Sequence, residues 1–295
     1  MDGTATRKKY STDITDEQWL IIEPIVSNET RYERRGRHRS VSLREVVNTI
    51  FYINRTGCQW ELLPHDLIAK STAYEYFAKW RDDSTWDRIV TALRTQIREE
   101  AGREATPSLA CIDSQSAKTT EVGGDERGYD GGKKIKGRKR HLLVDVLGLL
   151  IAVTVTGANA DDGTAAPRVI DRMSIKDFPR MKTILGDNKY NNKSLDAWMK
   201  QHRPDWLIEV QKPPQGSKGF SPIRIRWVVE RSNAWHSRSR RNAKDYERRT
   251  DSSESMIKIS HIGIMLRRCK PANTNPLNGG TANVKIQENA GVFSG

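Results

Sequence analysis

Hydrophobic positions along this chain change their spacing near residue 101, and the change divides it into two kinds of structure. Before that point, apolar residues recur every three or four positions. Trp19, Ile22 and Val26 follow Thr15-Asp16-Glu17-Gln18, where an N-cap Thr15 and Gln18 three residues on form a capping-box pattern. Leu43, Val46, Val47, Ile50 and Phe51 make one face behind Ser42, with Glu45 at the box position and a stop near Thr56-Gly57. A third helix is predicted from Ser71 to about Arg81, again with cap and box residues. A fourth runs from Ser84 to about Glu100 and carries Trp86, Ile89, Val90, Leu93 and Ile97. Helices this closely spaced, with a short Gly-containing break, suggest a helix-turn-helix module. A plain helical bundle is the competing reading.

After Ala101-Gly102 the pattern turns to short β-like runs at 108–113, 140–146 and 149–155, with Gly148 between the last two as a hairpin turn. Helical spacing returns at 162–173, before a strand at 181–186, and at 192–202, before a strand at 206–210. A helix through Glu230 and another at 253–268 close the pattern. Three strands followed by alternating helix and strand predict an α/β domain with a mixed sheet. The expected division is a helical domain at 1–106, an α/β domain at 107–270 and a disordered tail at 271–295, rich in Asn, Gly and Thr.

Charge narrows the partner. Lys and Arg number 50 against 37 Asp and Glu, a formal charge of +13 with a pI near 9.7. An excess of this sign points to a polyanion, most commonly nucleic acid, with a merely soluble basic protein as the alternative. Cys58, Cys111 and Cys269 are scattered, which argues against a zinc site or a disulfide framework. The N-terminus lacks a signal-peptide layout and no apolar stretch reaches membrane-span length, so the expectation is a cytoplasmic, nucleoid-associated protein with no membrane partner.

Three acids stand out by context. Asp113 ends the apolar run Leu109-Ala110-Cys111-Ile112, and Asp187 ends Thr183-Ile184-Leu185-Gly186. Glu230 lies in the Arg-rich helical stretch Arg226-Trp227-Val228-Val229-Glu230-Arg231. An acid at the exit of a buried strand is costly unless something pairs with it, and open α/β sheets build sites at the carboxyl ends of their strands. Three such acids suit hard divalent ions on oxygen ligands. Other acids have blander explanations: Asp145 could face either way, Asp161-Asp162 look like a helix N-cap pair, and Asp171 and Asp177 read as solvated.

Two basic stretches accompany them. Seven cations, Arg127, Lys133, Lys134, Lys136, Arg138, Lys139 and Arg140, face one acid, Asp130, with glycines interspersed. Such a loop can lie along phosphates. The 224–249 segment adds nine more cations, of which Arg226, Arg231, Arg238, Arg241 and Lys244 are the candidate DNA contacts. On the predicted third helix, Ser71 and Thr72 are candidate base readers, with Glu75 and Lys79 also exposed. The competing reading is that charge runs are solvated faces, and that Tyr74, Phe77 and Trp80 simply pack this helix.

Ala110-Cys111-Ile112-Asp113-Ser114-Gln115-Ser116-Ala117-Lys118-Thr119 resembles the first-aspartate motif of bacterial insertion-sequence transposases of the "IS five" group. The block from Gly128 to His141 resembles that family's central block, and Gly186-Asp187-Asn188-Lys189-Tyr190 its second-aspartate motif. Arg226 to Arg231, continuing through Trp235 and Arg241 to Lys244-Asp245-Tyr246-Glu247, resembles its glutamate block. The resemblance implies a ribonuclease-H-like mixed-sheet catalytic domain preceded by an all-helical DNA-binding domain. It also implies a triad of Asp113, Asp187 and Glu230 holding two Mg²⁺ (or Mn²⁺) ions. The implied activity is cleavage at terminal inverted repeats and joining of the 3′-OH to target DNA, so the partner is double-stranded DNA. Paired-end cutting implies at least a homodimer. Lys189 stands where the family commonly has a small residue, Ile223 where a Tyr is frequent, and Ser237 where a basic residue is usual. A metal-dependent nuclease without strand transfer and a non-catalytic DNA binder are the rival functions.

Overall fold

The computed structural model describes residues 7–28, 41–122, 124–211 and 227–269. Helix α1 (Asp16–Asn28) starts as predicted: Thr15 N–H donates to Gln18 Oε1 at 3.1 Å and Gln18 N–H to Thr15 Oγ1 at 3.3 Å. The other two predicted boxes do not form. Ser42 precedes α2 (Leu43–Thr56) without a side-chain cap bond, and Glu45 accepts from Arg7 Nε at 2.8 Å and Asn48 Nδ2 at 3.0 Å. A guanidinium is the stronger partner for a carboxylate. Helix α3 (Lys70–Asp82) takes Ala69 as its cap, so Ser71 lies inside it, and α4 (Thr85–Glu100) follows Ser84 as expected. The basic segment 31–39 and the 271–295 tail lie outside the described residues.

Strands β1 (Leu109–Lys118), β2 (Gly128–Asp130), β3 (Ile135–Asp145), β4 (Leu150–Gly157), β5 (Thr183–Gly186) and β6 (Leu207–Val210) form one mixed sheet. β3 lies antiparallel between β1 on one edge and β4 on the other, with the short β2 beside its first residues. β1 runs parallel to β5, and β5 parallel to β6. Three antiparallel strands continued by two parallel ones, with helices on both faces, make the ribonuclease-H-like arrangement. Two predicted strands are longer than their apolar runs. β1 continues through Ser114 to Lys118 because β3 pairs with it as far as Gly137, and β3 begins at Ile135. The predicted Gly-rich loop is therefore a β-hairpin. Gly148, at φ 79°, turns β3 into β4 as expected.

Alternation sorts the sheet residues onto two faces. Ala110, Ile112, Leu143 and Ile184 join one core with α5 (Asp162–Ile170) and α6 (Lys193–His202). Cys111, Leu142, Val144 and Leu185 join the other, with α7 (Trp227–Ser237) and α8 (Thr250–Leu266). That second core also takes in Ile22, Ile50, Phe77, Trp86 and Leu93. The N-terminal helices thus share one hydrophobic cluster with the α/β domain. Arg98 of α4 reinforces the contact with a buried ion pair to Asp145 of β3 at 2.5 Å.

Candidate active site

Strand pairing carries two of the three acids to one place. The β1–β5 register pairs Cys111 with Leu185. Asp113 lies two residues further along β1, on the side that α7 covers, and Asp187 follows the last residue of β5, Gly186, as the cap of the next turn. The two carboxylates lie within electrostatic reach of one another, since the Asp187 charge helps to raise the Asp113 pKa. Gly186 is needed just before Asp187: a Cβ there would lie 2.7 Å from the ring of Tyr190, which is buried on the opposite face. Asp187 caps the turn that follows by accepting the Lys189 N–H at 2.9 Å.

Helix α7 supplies the third acid. Val229, Ser232, Asn233 and His236 face inward, and Asn233 Nδ2 donates to Asp113 Oδ2 at 2.9 Å. Glu230 lies one turn before Asn233 on the same side of the helix. Its charge is felt at the site: burial first, then repulsion from Asp187 and Glu230, push the Asp113 carboxyl up to about 6. Lys133, at the tip of the β2–β3 hairpin, pulls the other way.

A fourth acid stands behind these. Asp161 is the N-cap of α5, accepting from Thr164 N–H at 2.9 Å, but Asp162 beside it has a different place. It is buried between Lys139 Nζ at 3.1 Å and Lys189 Nζ at 3.0 Å. Burial alone would raise its pKa; Ser114, Lys189 and Lys139 hold it below the usual carboxylate range. Lys189 loses by burial, yet Asp162, Asp187 and Asp113 keep its pKa raised. The residue that departs from the family pattern is therefore an ammonium tethered beside the acids.

The predicted DNA contacts divide. Lys133, Lys134 and Lys136 are exposed on the hairpin, whose tip Asp130 fixes by accepting from Ser116 Oγ at 2.5 Å and Lys133 N–H at 3.0 Å. Arg127 and Arg231 are half-buried, the latter over Trp227 and Trp235, while Arg238 and Lys244 are exposed. Ser71 is exposed and Thr72 half-buried on α3, where Phe77 and Trp80 are buried but Tyr74 is not. Arg138, Lys139, Arg140 and Arg241 correct the expectation: all four are buried. Arg138 pairs with Asp245 at 3.0 Å and donates to the carbonyls of Asp125, Glu247 and Arg248. Arg140 donates to the Asn242 and Lys244 carbonyls, and Arg241 pairs with Glu247 at 2.6 Å. Arg138 and Lys139 are covered within the sheet and Arg241 in the 240–242 turn, while Arg140, though buried, lines a groove with Lys118 and Lys244. Arg226 and Ile223 lie outside the described residues.

Sequence reasoning missed Asn233, Asp162 and Lys118. Asn233 was legible as the residue three after Glu230 on one helical face. Lys118 is exposed at the end of β1, where it lines a groove of about 240 Å³ with Gln115, Ser116, Ser237 and Lys244, running on along β1 from Asp113. The donor set at the site is all oxygen, three carboxylates with the buried Asn233 Oδ1, which has no hydrogen-bond partner. That chemistry fits a hard divalent cation. Among the described residues no group of three such side chains is drawn close enough to hold an ion.

Comparison with known proteins gives a consistent result. Residues 104–262 match the family described as "Transposase DDE domain", and residues 14–90 match "Putative transposase of IS4/5 family". The chain is 29% identical over 129 residues to "Putative transposase for insertion sequence element IS402" from Burkholderia cepacia, a match covering 42% of this chain and 60% of that protein. It is also 29% identical over 113 residues to "Insertion element IS402 uncharacterized 16.2 kDa protein" of the same organism, covering 37% and 76% respectively. The chain thus spans less than two thirds of the first of these relatives.

Proposed function

This chain belongs to the DDE transposases of the IS4/5 family, and we propose that it cuts the ends of its own insertion sequence and joins them to target DNA. The observation that supports this most is the arrival of Asp113, Asp187 and Glu230 within electrostatic reach of one another, from two adjacent parallel strands and the helix that covers them. These residues would hold two divalent cations, Mg²⁺ or Mn²⁺, which supply Lewis-acid activation of water and of the phosphodiester.

The remaining residues bind and orient. Asn233 fixes the Asp113 carboxylate through its amide. Lys189, held by Asp162, offers an ammonium to a phosphate oxygen next to the acids. The groove between Lys118 and Lys244 takes the strand that leaves the site, and the hairpin lysines 133, 134 and 136 grip the duplex backbone. Water attack at the element end leaves a 3′-OH, and the same site then holds that hydroxyl in line with a target phosphate. No covalent link between protein and DNA is required. Reading of the terminal repeats falls to residues 1–106, with Ser71, Thr72 and Glu75 on the outer side of α3. Two DNA ends call for at least a homodimer.

The test is incubation of the full chain and Mg²⁺ with DNA carrying the inverted repeats that flank its gene, together with a supercoiled target. Cleaved ends covalently joined to target are expected. Cleavage without joined product would favour the nuclease reading, and repeat binding without Mg²⁺-dependent cleavage the non-catalytic one. Ser71→Ala with Glu75→Ala in the full chain should lower the preference for the repeat over random DNA; an unchanged preference moves the reader elsewhere.

A further inference from the structure

Away from the acids, α2, α7 and α8 enclose a second cavity, of about 670 Å³. Among the described residues four arginines line it, Arg55, Arg238, Arg267 and Arg268, and no carboxylate does. Among the described residues none of the four makes an ion pair; Arg55 donates to the Arg238 carbonyl at 3.3 Å and Arg268 to that of Leu147 at 3.2 Å. Partial burial of its guanidinium first, and then the nearby Arg55 charge, lower the Arg267 pKa. Elsewhere Arg7, Arg98 and Arg138 have carboxylates, Asp13, Asp145 and Asp245, while buried Arg140 and Arg94 donate to backbone carbonyls. Of the four cavity arginines, Arg55 and Arg268 have one such carbonyl contact each. Like charges gathered without a counter-charge are costly and point to an anion from outside the chain.

The rest of the lining says what kind of anion. Phe51, Trp235, Ile259 and Ile264 give an apolar, partly aromatic wall. Arg268 lies over Trp235 at 5.9 Å. Thr12 adds a buried hydroxyl with no hydrogen-bond partner. Trp235 follows Glu230 by five residues, about 140° around α7, so the cavity opens on a different side of the helix from the acids.

We propose that this cavity is a binding site for one nucleotide unit, its phosphate held by Arg55, Arg238 and Arg267 and its base against Phe51 and Trp235. A nucleotide joins a phosphate to a flat, weakly polar ring, which is the combination that this lining complements. The ligand is either a nucleotide of a DNA strand held at the α7 face or a free nucleotide. Only the first source rests on the proposed transposase function.

Titration calorimetry of the full chain with dAMP, adenosine and inorganic phosphate tests it. Saturable dAMP binding is expected, tighter than for either fragment alone. Replacing Arg55 and Arg267 together by Ala should weaken it at least roughly tenfold, as for a lost charge-assisted hydrogen bond. Both side chains are exposed, and circular dichroism of the variant checks that the fold is retained. Replacing Lys133 and Lys134 by Ala should leave dAMP affinity unchanged. Absence of saturable dAMP binding, or binding that the folded double variant retains in full, overturns the proposal. Displacement of dAMP by a short single-stranded oligonucleotide assigns the site to DNA; tight binding of dAMP or ATP that no oligonucleotide displaces assigns it to a free nucleotide. A chain that cuts its element ends yet binds no dAMP loses the cavity and keeps the proposed function. A chain that binds dAMP but cuts nothing does the reverse.

Discussion

One basic run, split at Gly137, does two opposite jobs. Lys133, Lys134 and Lys136 stand in solvent on the hairpin tip, while Arg138, Lys139 and Arg140, two to seven positions on, are buried. Residue type does not separate them; the sheet does. Up to residue 136 the strand has only the short β2 beside it. From Arg138 onward, β3 lies between β1 and β4, and its side chains alternate between two covered faces. Lys139 meets Asp162 and the Ala160 carbonyl on the α5 side, and Arg138 and Arg140 meet the 242–248 segment on the other. A charge run is thus a docking surface only where its strand is an edge. Where the strand is central, the same charges are internal pins that hold distant segments in place.

The largest expected effect lies at the acids that both halves serve. Asp113→Asn should lower cleavage by at least about 10³-fold, the loss of several kcal/mol of metal-assisted stabilisation, while DNA binding persists. A variant that still cuts at near the original rate would remove Asp113 from the triad. The same substitution should stabilise the metal-free protein. With its folded pKa raised to about 6, Asp113 binds its proton more tightly in the fold than in the unfolded chain. Stability is therefore fullest below about pH 4 and is lost as pH rises towards 6. Asn carries no such charge, so at pH 7 it should gain roughly 2–3 kcal/mol in urea melts made in EDTA.

Next in size is Arg138→Met, which breaks the comparison on the buried side. Removing one partner strands Asp245 in the core, and the expected cost is about 3–5 kcal/mol of stability. The salt dependence of DNA binding by the folded variant should not change. A shallower slope would mean that Arg138 reaches phosphate after all.

Legibility in the sequence follows the same split. Helix faces, the β3–β4 hairpin and the succession of every strand but β2 were readable because burial on one side leaves a period in the sequence. Asp113 and Asp187 were readable because they end apolar runs, and only the β1–β5 register brings them together. Three things were not readable. Whether a cation is covered depends on the strand's neighbours, which lie far off in sequence. Whether Glu45 reaches back to Ser42 depends on Arg7, which takes its carboxylate instead. Asp162 looked like half of a capping pair, and its burial between Lys139 and Lys189 depends on three separate elements meeting.

On the exposed side, Lys133, Lys134 and Lys136 replaced together by Ala should leave thermal stability nearly unchanged. Each lost phosphate contact should flatten the log–log salt dependence of DNA binding by about 0.9. An unchanged slope, measured by fluorescence anisotropy between low and moderate salt, would reduce the hairpin to a solvated face and erase the contrast with Arg138.

The smallest effect concerns acid. The buried half of the run reaches His236 of α7: burial first, then the Arg140 guanidinium and His261, hold that imidazole well below its usual pKa. Burial lowers His261 to about 4, and the two rings lie 5.8 Å apart between α7 and α8. A histidine with a depressed folded pKa takes up its proton more readily once unfolded. Its stability contribution is complete above about pH 6.5 and drains away as pH falls towards 4. From pH 7.5 to 5.0 the loss is about 2 kcal/mol for His261, with His236 changing in the same direction. Urea melts at the two pH values should show that fall, and His261→Leu, which has no proton to gain, should show less of it. If the variant loses as much stability on acidification as the parent chain, the sensitivity belongs to groups other than His261.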